Sequence, residues 1–243
     1  MDLSDKIFNY CERGQDPGFW AEPLNAITNV AFLIAALLAA VEYMRMPRTS
    51  RGLSEAVLVI MVGVIGVGSF LFHTYATRWA SIADIAPIGI FMLAYVAYVL
   101  RRFVGLNWLL VVAGLAIFVA SLRYAATIQC NQQALLPITA AATNRCLNGT
   151  VAYLPALIAL AASAVMLAGL RHPTWRYLAG ATVLLILAMT FRTLDLELCG
   201  ITRAAGRVLG THFMWHVLNA SVLYILLLAA LRHGGCKLRE PVA

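Results

Sequence analysis

Seven stretches of this 243-residue chain are too long and too apolar to pack as surface helices in water. They fall at about 22–44, 53–73, 81–101, 107–125, 150–170, 175–192 and 211–231, with ends uncertain by ~2–4 residues. A helix needs roughly 20 apolar residues to cross the hydrocarbon core of a bilayer. The strict alternation of a membrane barrel strand is absent. Only 12% of residues are charged, against about 25% in a soluble domain. The expected fold is all-α, a polytopic membrane protein built as one seven-transmembrane-helix bundle. Residues 1–21 form an ordered extramembrane segment, 22–231 the bundle and 232–243 a tail. No internal repeat, low-complexity tract or soluble domain accompanies it. The first twenty residues lack the basic start and apolar run of a signal peptide, so the first helix is expected to direct insertion.

The net charge of +7 does not point to nucleic acid. The basic residues are scattered through short connections, as at Arg45, Arg48 and Arg51 or Arg101 and Arg102. That is how helix ends look under the positive-inside rule. With the N-terminus outside, these charges lie inside, while Arg13, Arg78 and Arg192 fall in outer segments. Cys11, Cys130, Cys146 and Cys199 then share the outer side and Cys236 alone is inside, which suits disulfides in an oxidising compartment. The expected placement is N-terminus outside, C-terminus cytoplasmic. His172 and His233, beside basic residues at the inner face, are expected to be solvated.

Polar residues inside such spans are expensive and mark function by default. Ser69 and His73 occupy the last turns of the second helix, Asp84 the first turn of the third, and His212 and His216 the first turns of the seventh. Connectivity alone puts all five at one depth. Ser69 and His73 share a helix face, as do His212 and His216, because residues four apart do so. Pro87 leaves the carbonyl near Ala83 without its usual donor, and Pro155 is expected to kink the fifth helix. Glu22, Asn25 and Asn29 form a second polar stripe behind Asn9, Tyr10, Glu12, Gly14 and Asp16. Such oxygens suit a hard cation like calcium, or simply a capped and hydrated helix entrance.

Spacing leaves three readings of the histidine trio open: a zinc site, a proton or ion path using Asp84, Asp195 and Glu197, or satisfied core packing. A retinal-type pump is disfavoured because no span carries a lysine. If zinc is bound, three imidazoles leave a fourth position for water, whose pKa falls to about 7. Asp84 is then the candidate general base, and Ser69 a donor to the developing oxyanion. Ser69 is less suited to be a nucleophile, since no histidine remains to activate it.

Five motifs occur in order: Tyr10-Cys11-Glu12-Arg13 with Trp20-Ala21-Glu22-Pro23-Leu24-Asn25 and Thr28-Asn29; Gly68-Ser69-x-x-x-His73; Asp84-x-x-Pro87; Asp195-x-x-x-Cys199; and Thr211-His212-x-x-x-His216. In these the chain resembles the alkaline ceramidase family over nearly its whole length, within the wider superfamily of seven-helix membrane hydrolases that includes adiponectin receptors. The resemblance implies zinc at His73, His212 and His216, Asp84 acting on the zinc-bound water and Ser69 on the oxyanion. It also implies a Cys11–Cys199 disulfide. A calcium site would use Asn9, the Tyr10 carbonyl, Glu12, Gly14 and Glu22. Asn9 and Gly14 depart from the aspartate and asparagine of the animal members, and fewer charges weaken such a site. Cys130 and Cys146, left in one loop, are expected to pair.

The activity implied is hydrolysis of N-acylated lipids such as ceramides by a zinc-dependent amide hydrolase. The partners are a membrane lipid substrate and the bilayer, with no nucleic acid and no protein partner. The alternatives are a lipid receptor with structural zinc and a proton-coupled transporter. The compact chain is expected in a bacterial inner membrane.

Overall fold

The computed structural model describes residues 2–130, 146–204 and 206–234. Seven helices in it are long and apolar enough to cross a membrane: α1 Pro23–Arg45, α2 Leu53–Tyr75, α3 Arg78–Phe103, α4 Trp108–Thr127, α5 Cys146–Gly169, α6 Trp175–Leu194 and α7 His212–His233. Each coincides with an expected stretch to within a few residues. The fold is thus a seven-helix bundle. Cys236, Arg145 and the tail beyond Gly234 lie outside the described residues.

The ends have local causes. α3 starts at Arg78, a turn earlier than expected, because the N-terminal segment serves its first amides. Arg78 N–H donates to the Asp5 carbonyl (3.1 Å) and Trp79 N–H to that of Leu3 (3.1 Å). These are donors a helix start otherwise leaves unsatisfied. Asp84 therefore sits in the second turn of α3, not the first. Pro155 does not kink α5. The segment opens as a 3₁₀ stretch, Cys146–Tyr153, with left-handed Leu147, Asn148 and Gly149. The α-helix proper begins at Leu154, putting Pro155 in its first turn, where proline is tolerated. α1 is interrupted at Asn29, between Pro23–Thr28 and Val30–Arg45. Both Thr28 and Asn29 side chains bond back to carbonyls in the preceding turn, competing with the helix ladder.

α7 is the most buried of the seven spans. Leu223, Leu226 and Leu227 join Phe32 of α1, Leu58, Val62 and Ile65 of α2 and Leu185 of α6 in one core. The opposite surfaces expose Leu37, Leu109, Ile117 and Val165, as a lipid-facing surface does. Gly68 lets α2 approach α3, since a Cβ there would overlap the Ala83 carbonyl oxygen. That carbonyl is the one Pro87 leaves without an amide donor. This close crossing carries Ser69 and His73 beside Asp84.

Even numbers of spans separate the N-terminal segment from the α2–α3 turn and from the α6–α7 connection, so all three lie at one end. The N-terminal segment is bolted there. Ile7 N–H donates to the Ala76 carbonyl (2.7 Å) and Lys6 Nζ to that of Tyr75 (2.7 Å). A Cys11–Cys199 disulfide links it to the α6–α7 connection across 188 residues. That connection includes a small hairpin, β1 Arg203–Ala204 with β2 Arg207–Val208. Cys130 and Cys146 form a second disulfide. At the other end the solvated setting expected for His172 is corrected. The ring is buried, tilted against Phe103, with Nδ1 2.6 Å from Thr174 Oγ1.

Candidate metal centre

His73 comes from the last turn of α2, and His212 and His216 from the first two turns of α7. Asp195, at the end of α6, fixes where α7 begins. Its Oδ1 accepts the amides of Thr211 (2.7 Å) and His212 (2.9 Å). Its Oδ2 accepts the amide of Cys11 (2.9 Å). Burial pushes the Asp195 carboxyl above its usual pKa, while these three amides pull the other way. Gly210, at φ +67°, turns the chain into α7, and any Cβ there would overlap Asp195 Oδ1.

One nitrogen from each of the three histidines lies within 4.8 Å of the others, and all three rings are buried. Among the described residues this is the one cluster of three or more His, Cys, Asp or Glu side chains close enough to share an ion. The rings are oriented from behind. His73 Nδ1–H donates to Glu22 Oε2 (2.6 Å), because a carboxylate can only accept. His216 Nδ1 lies 2.9 Å from Thr28 Oγ1. The Thr28 hydroxyl proton is used on the Leu24 and Asn25 carbonyls, so the imidazole N–H donates to its oxygen. That assigns Nε2 of both rings as the nitrogen with a free lone pair. Tyr10 stacks on His212, with ring centroids 3.8 Å apart. Among the described residues, His216 Nε2 and His212 Nδ1 are buried with no hydrogen-bond partner. Orphaned ring nitrogens are uncommon in a satisfied core. Three convergent imidazoles, two with orphaned nitrogens, fit a transition metal, and imidazole suits zinc.

The trio stands beside a polar cavity of about 660 Å³ that His212, His216, Ser69, Asp84, Asn9 and Arg192 help line. Ser69 and Asp84 line this cavity together. Ile65, Ile88, Tyr153, Trp215 and Asn219 also line an apolar cavity of about 760 Å³ reaching toward Tyr95 and Leu226. Ile85, Ile88, Tyr153 and Arg192 are shared with a lateral opening of about 1610 Å³ against α4 and the start of α5. The expected groups Ser69, His73, Asp84, His212 and His216 are therefore brought together, at the end of the bundle that connectivity required.

The expected calcium ligands do not make a cation cage. The Tyr10 carbonyl accepts the Gly14 amide (3.2 Å). Glu12 accepts the amides of Leu24 (2.7 Å) and Asn25 (2.8 Å), capping α1, and burial lifts its pKa. Asn9 faces the polar cavity, and Gly14 is exposed. Glu22 Oε1 pairs with Arg13 Nε (2.5 Å), while Oε2 takes His73 and Asn25 Nδ2 (3.1 Å). The cation here is the buried Arg13 guanidinium. It also donates to the carbonyls of Asp16 (3.0 Å), Gly18 (2.8 Å), His73 (2.9 Å) and Thr74 (3.3 Å). Burial alone would raise the pKa of Glu22; His73 and Arg13 reverse this and hold it below its usual value. With both carboxylates committed and a fixed cation already among them, the donor set does not fit calcium.

Sequence reasoning thus did not foresee Glu22 behind His73 or Tyr10 against His212, and it counted Arg13 and Arg192 as outer loop charges. The i, i+3 step from Glu22 to Asn25 on a buried face was the signal for Glu22. For Arg192, an arginine near the C-terminal end of the mostly apolar α6 was the only one.

A search of curated proteins found no significant match. A family profile described as Ceramidase matches residues 7–239, nearly the whole chain. By this match, and with a seven-helix bundle and a buried histidine trio in place, the chain belongs to the ceramidase family.

Proposed function

We propose that this chain is a zinc-dependent intramembrane amide hydrolase that cleaves N-acylated, ceramide-like lipids to a fatty acid and a sphingoid base. The observation that carries the reading is the convergent buried trio of His73, His212 and His216, two of whose rings carry an orphaned nitrogen, where a polar cavity meets an apolar one. The family match supports the substrate class.

His73, His212 and His216 hold the metal, and Glu22 and Thr28 fix two of the rings. A bound zinc supplies Lewis-acid polarisation of the carbonyl and acidifies water. Asp84 accepts a proton from the attacking water as its oxygen bonds to the carbonyl carbon. The Ser69 hydroxyl donates to the carbonyl oxygen as negative charge builds there. Asp84 then delivers the proton to the amide nitrogen as the C–N bond breaks. Ser69 does not serve as nucleophile, because the nearby histidines are committed as ligands. The acyl chain lies in the apolar cavity and the headgroup at the polar end. We place the N-terminal end, with its disulfides, outside a bacterial inner membrane, and the C-terminus in the cytoplasm.

The test is metal analysis of the purified protein with turnover of a fluorescent N-acyl sphingosine. Stoichiometric zinc, lost together with activity in His212→Ala, is expected. A metal-free active protein, or an unchanged rate in that variant, overturns the reading. Asp84→Asn separates a hydrolase from a lipid receptor with structural zinc, since it should keep the metal and lose turnover.

A further inference from the structure

Arg192, in the last turn of α6, is a cation inside an apolar span. Such residues normally find a carboxylate. Among the described residues no carboxylate pairs with it. Among the described residues its one hydrogen bond runs from Nη1 to Tyr10 Oη (3.0 Å), and its buried Nε has no partner. Three rings hold it instead. Its guanidinium carbon lies 5.7 Å from the Tyr10 ring and 5.4 Å from those of Tyr153 and Trp215. A guanidinium has five N–H donors in a flat fork, and among the described residues only Nη1 of Arg192 is in a hydrogen bond.

Its place is specific. Arg192 lines both the polar cavity and the lateral opening, and among the described residues it is the only charged one lining that opening. It does not line the apolar cavity. A lipid that reached Ser69 and Asp84 through this opening would lie beside Arg192, which lines both spaces. A rigid, ring-caged, largely unsatisfied fork suits the planar, two-oxygen geometry of a carboxylate. A neutral hydroxyl or amide uses that fork poorly.

We propose that Arg192 is a carboxylate-binding residue at the mouth of the site, holding a lipid carboxylate beside the histidine trio. The proposal rests on the hydrolase reading above. The carboxylate has two sources: the fatty acid released by hydrolysis, or an acidic headgroup on the amine side of the substrate. The first makes Arg192 a product-holding residue, and the second makes it a determinant for acidic lipid amides.

The experiment compares the wild type with Arg192→Gln and Arg192→Lys, each checked for metal content and thermal unfolding. Octanoate and octanol binding are measured by calorimetry, independently of turnover. The ratio of kcat/KM for an N-acyl amino acid to that for N-acyl sphingosine is measured beside them. A tenfold or greater loss of octanoate affinity in Arg192→Gln, with octanol binding retained, supports the product source. A tenfold fall in the acidic-to-neutral ratio supports the headgroup source. If the glutamine variant does not fold, the lysine variant decides, since it keeps the charge without the fork and should still lose several-fold. Octanoate affinity and substrate ratio both unchanged overturn the proposal. A wild type that binds octanoate yet cleaves neither amide overturns the hydrolase reading and leaves the carboxylate site standing.

Discussion

Glu22→Gln changes one oxygen for one amide nitrogen at the most constrained point of the site. Glu22 accepts from Arg13 Nε at 2.5 Å through one oxygen and from His73 Nδ1 at 2.6 Å through the other. A glutamine can satisfy only one of them. If its oxygen faces Arg13, its NH₂ faces His73 Nδ1 and drives the ring proton to Nε2, the nitrogen needed as a ligand. If its oxygen faces His73, its NH₂ meets the Arg13 N–H. Loss of such a supporting carboxylate typically lowers metal affinity by about 10–100-fold, or about 1.4–2.7 kcal/mol. Breaking a buried ion pair costs about 3–5 kcal/mol. Here four backbone carbonyls still hold the guanidinium, so the lower end, about 3 kcal/mol, is expected. The assays are zinc competition against a chelator of known affinity and unfolding in detergent. Zinc affinity within about twofold of wild type, well inside the loss expected for a supporting carboxylate, would refute the argument that Glu22 sets the His73 tautomer.

Four further outcomes are expected. Thr28→Val, which removes the acceptor for His216 Nδ1–H, should lower zinc affinity by about tenfold in the same competition assay, and unchanged affinity counts against that hydrogen bond. A chelator selective for calcium over zinc should leave activity and melting temperature unchanged, whereas Arg13→Met should destabilise by about 3–5 kcal/mol; activity lost to the chelator would restore the calcium reading. Cys11→Ser with Cys199→Ser should lower stability by about 2–5 kcal/mol, read by thermal unfolding with and without reductant. Gly68→Ala forces α2 away from the Ala83 carbonyl and should cost about 1–3 kcal/mol together with most of the turnover.

The spans were legible because hydrocarbon leaves the chain few alternatives: backbone polar groups must be satisfied within each helix. The five central groups were legible for a related reason. Helix direction fixes depth, and His212 and His216 share a face whatever the details of packing. What connectivity does not fix is the partner of a residue just outside a span. Glu22, Glu12 and Tyr10 sit in a segment with few regular constraints, where the same oxygens serve a calcium ion or a guanidinium equally well on composition. The identity of residue 13 decides between them. An arginine there brings a fixed charge that satisfies Glu22 and four carbonyls from both the N-terminal segment and the end of α2. The cation is then covalently part of the chain, and this is why a calcium chelator is expected to leave the support behind His73 intact. Arg192 was illegible for the converse reason. Its sequence position at a helix end looks like a solvated anchor, and only the ring cage of Tyr10, Tyr153 and Trp215, drawn from three separate parts of the chain, turns it inward. The two arginines therefore do opposite things with one chemistry. Arg13 is saturated and holds the site together, whereas Arg192 keeps donors unspent where a substrate passes.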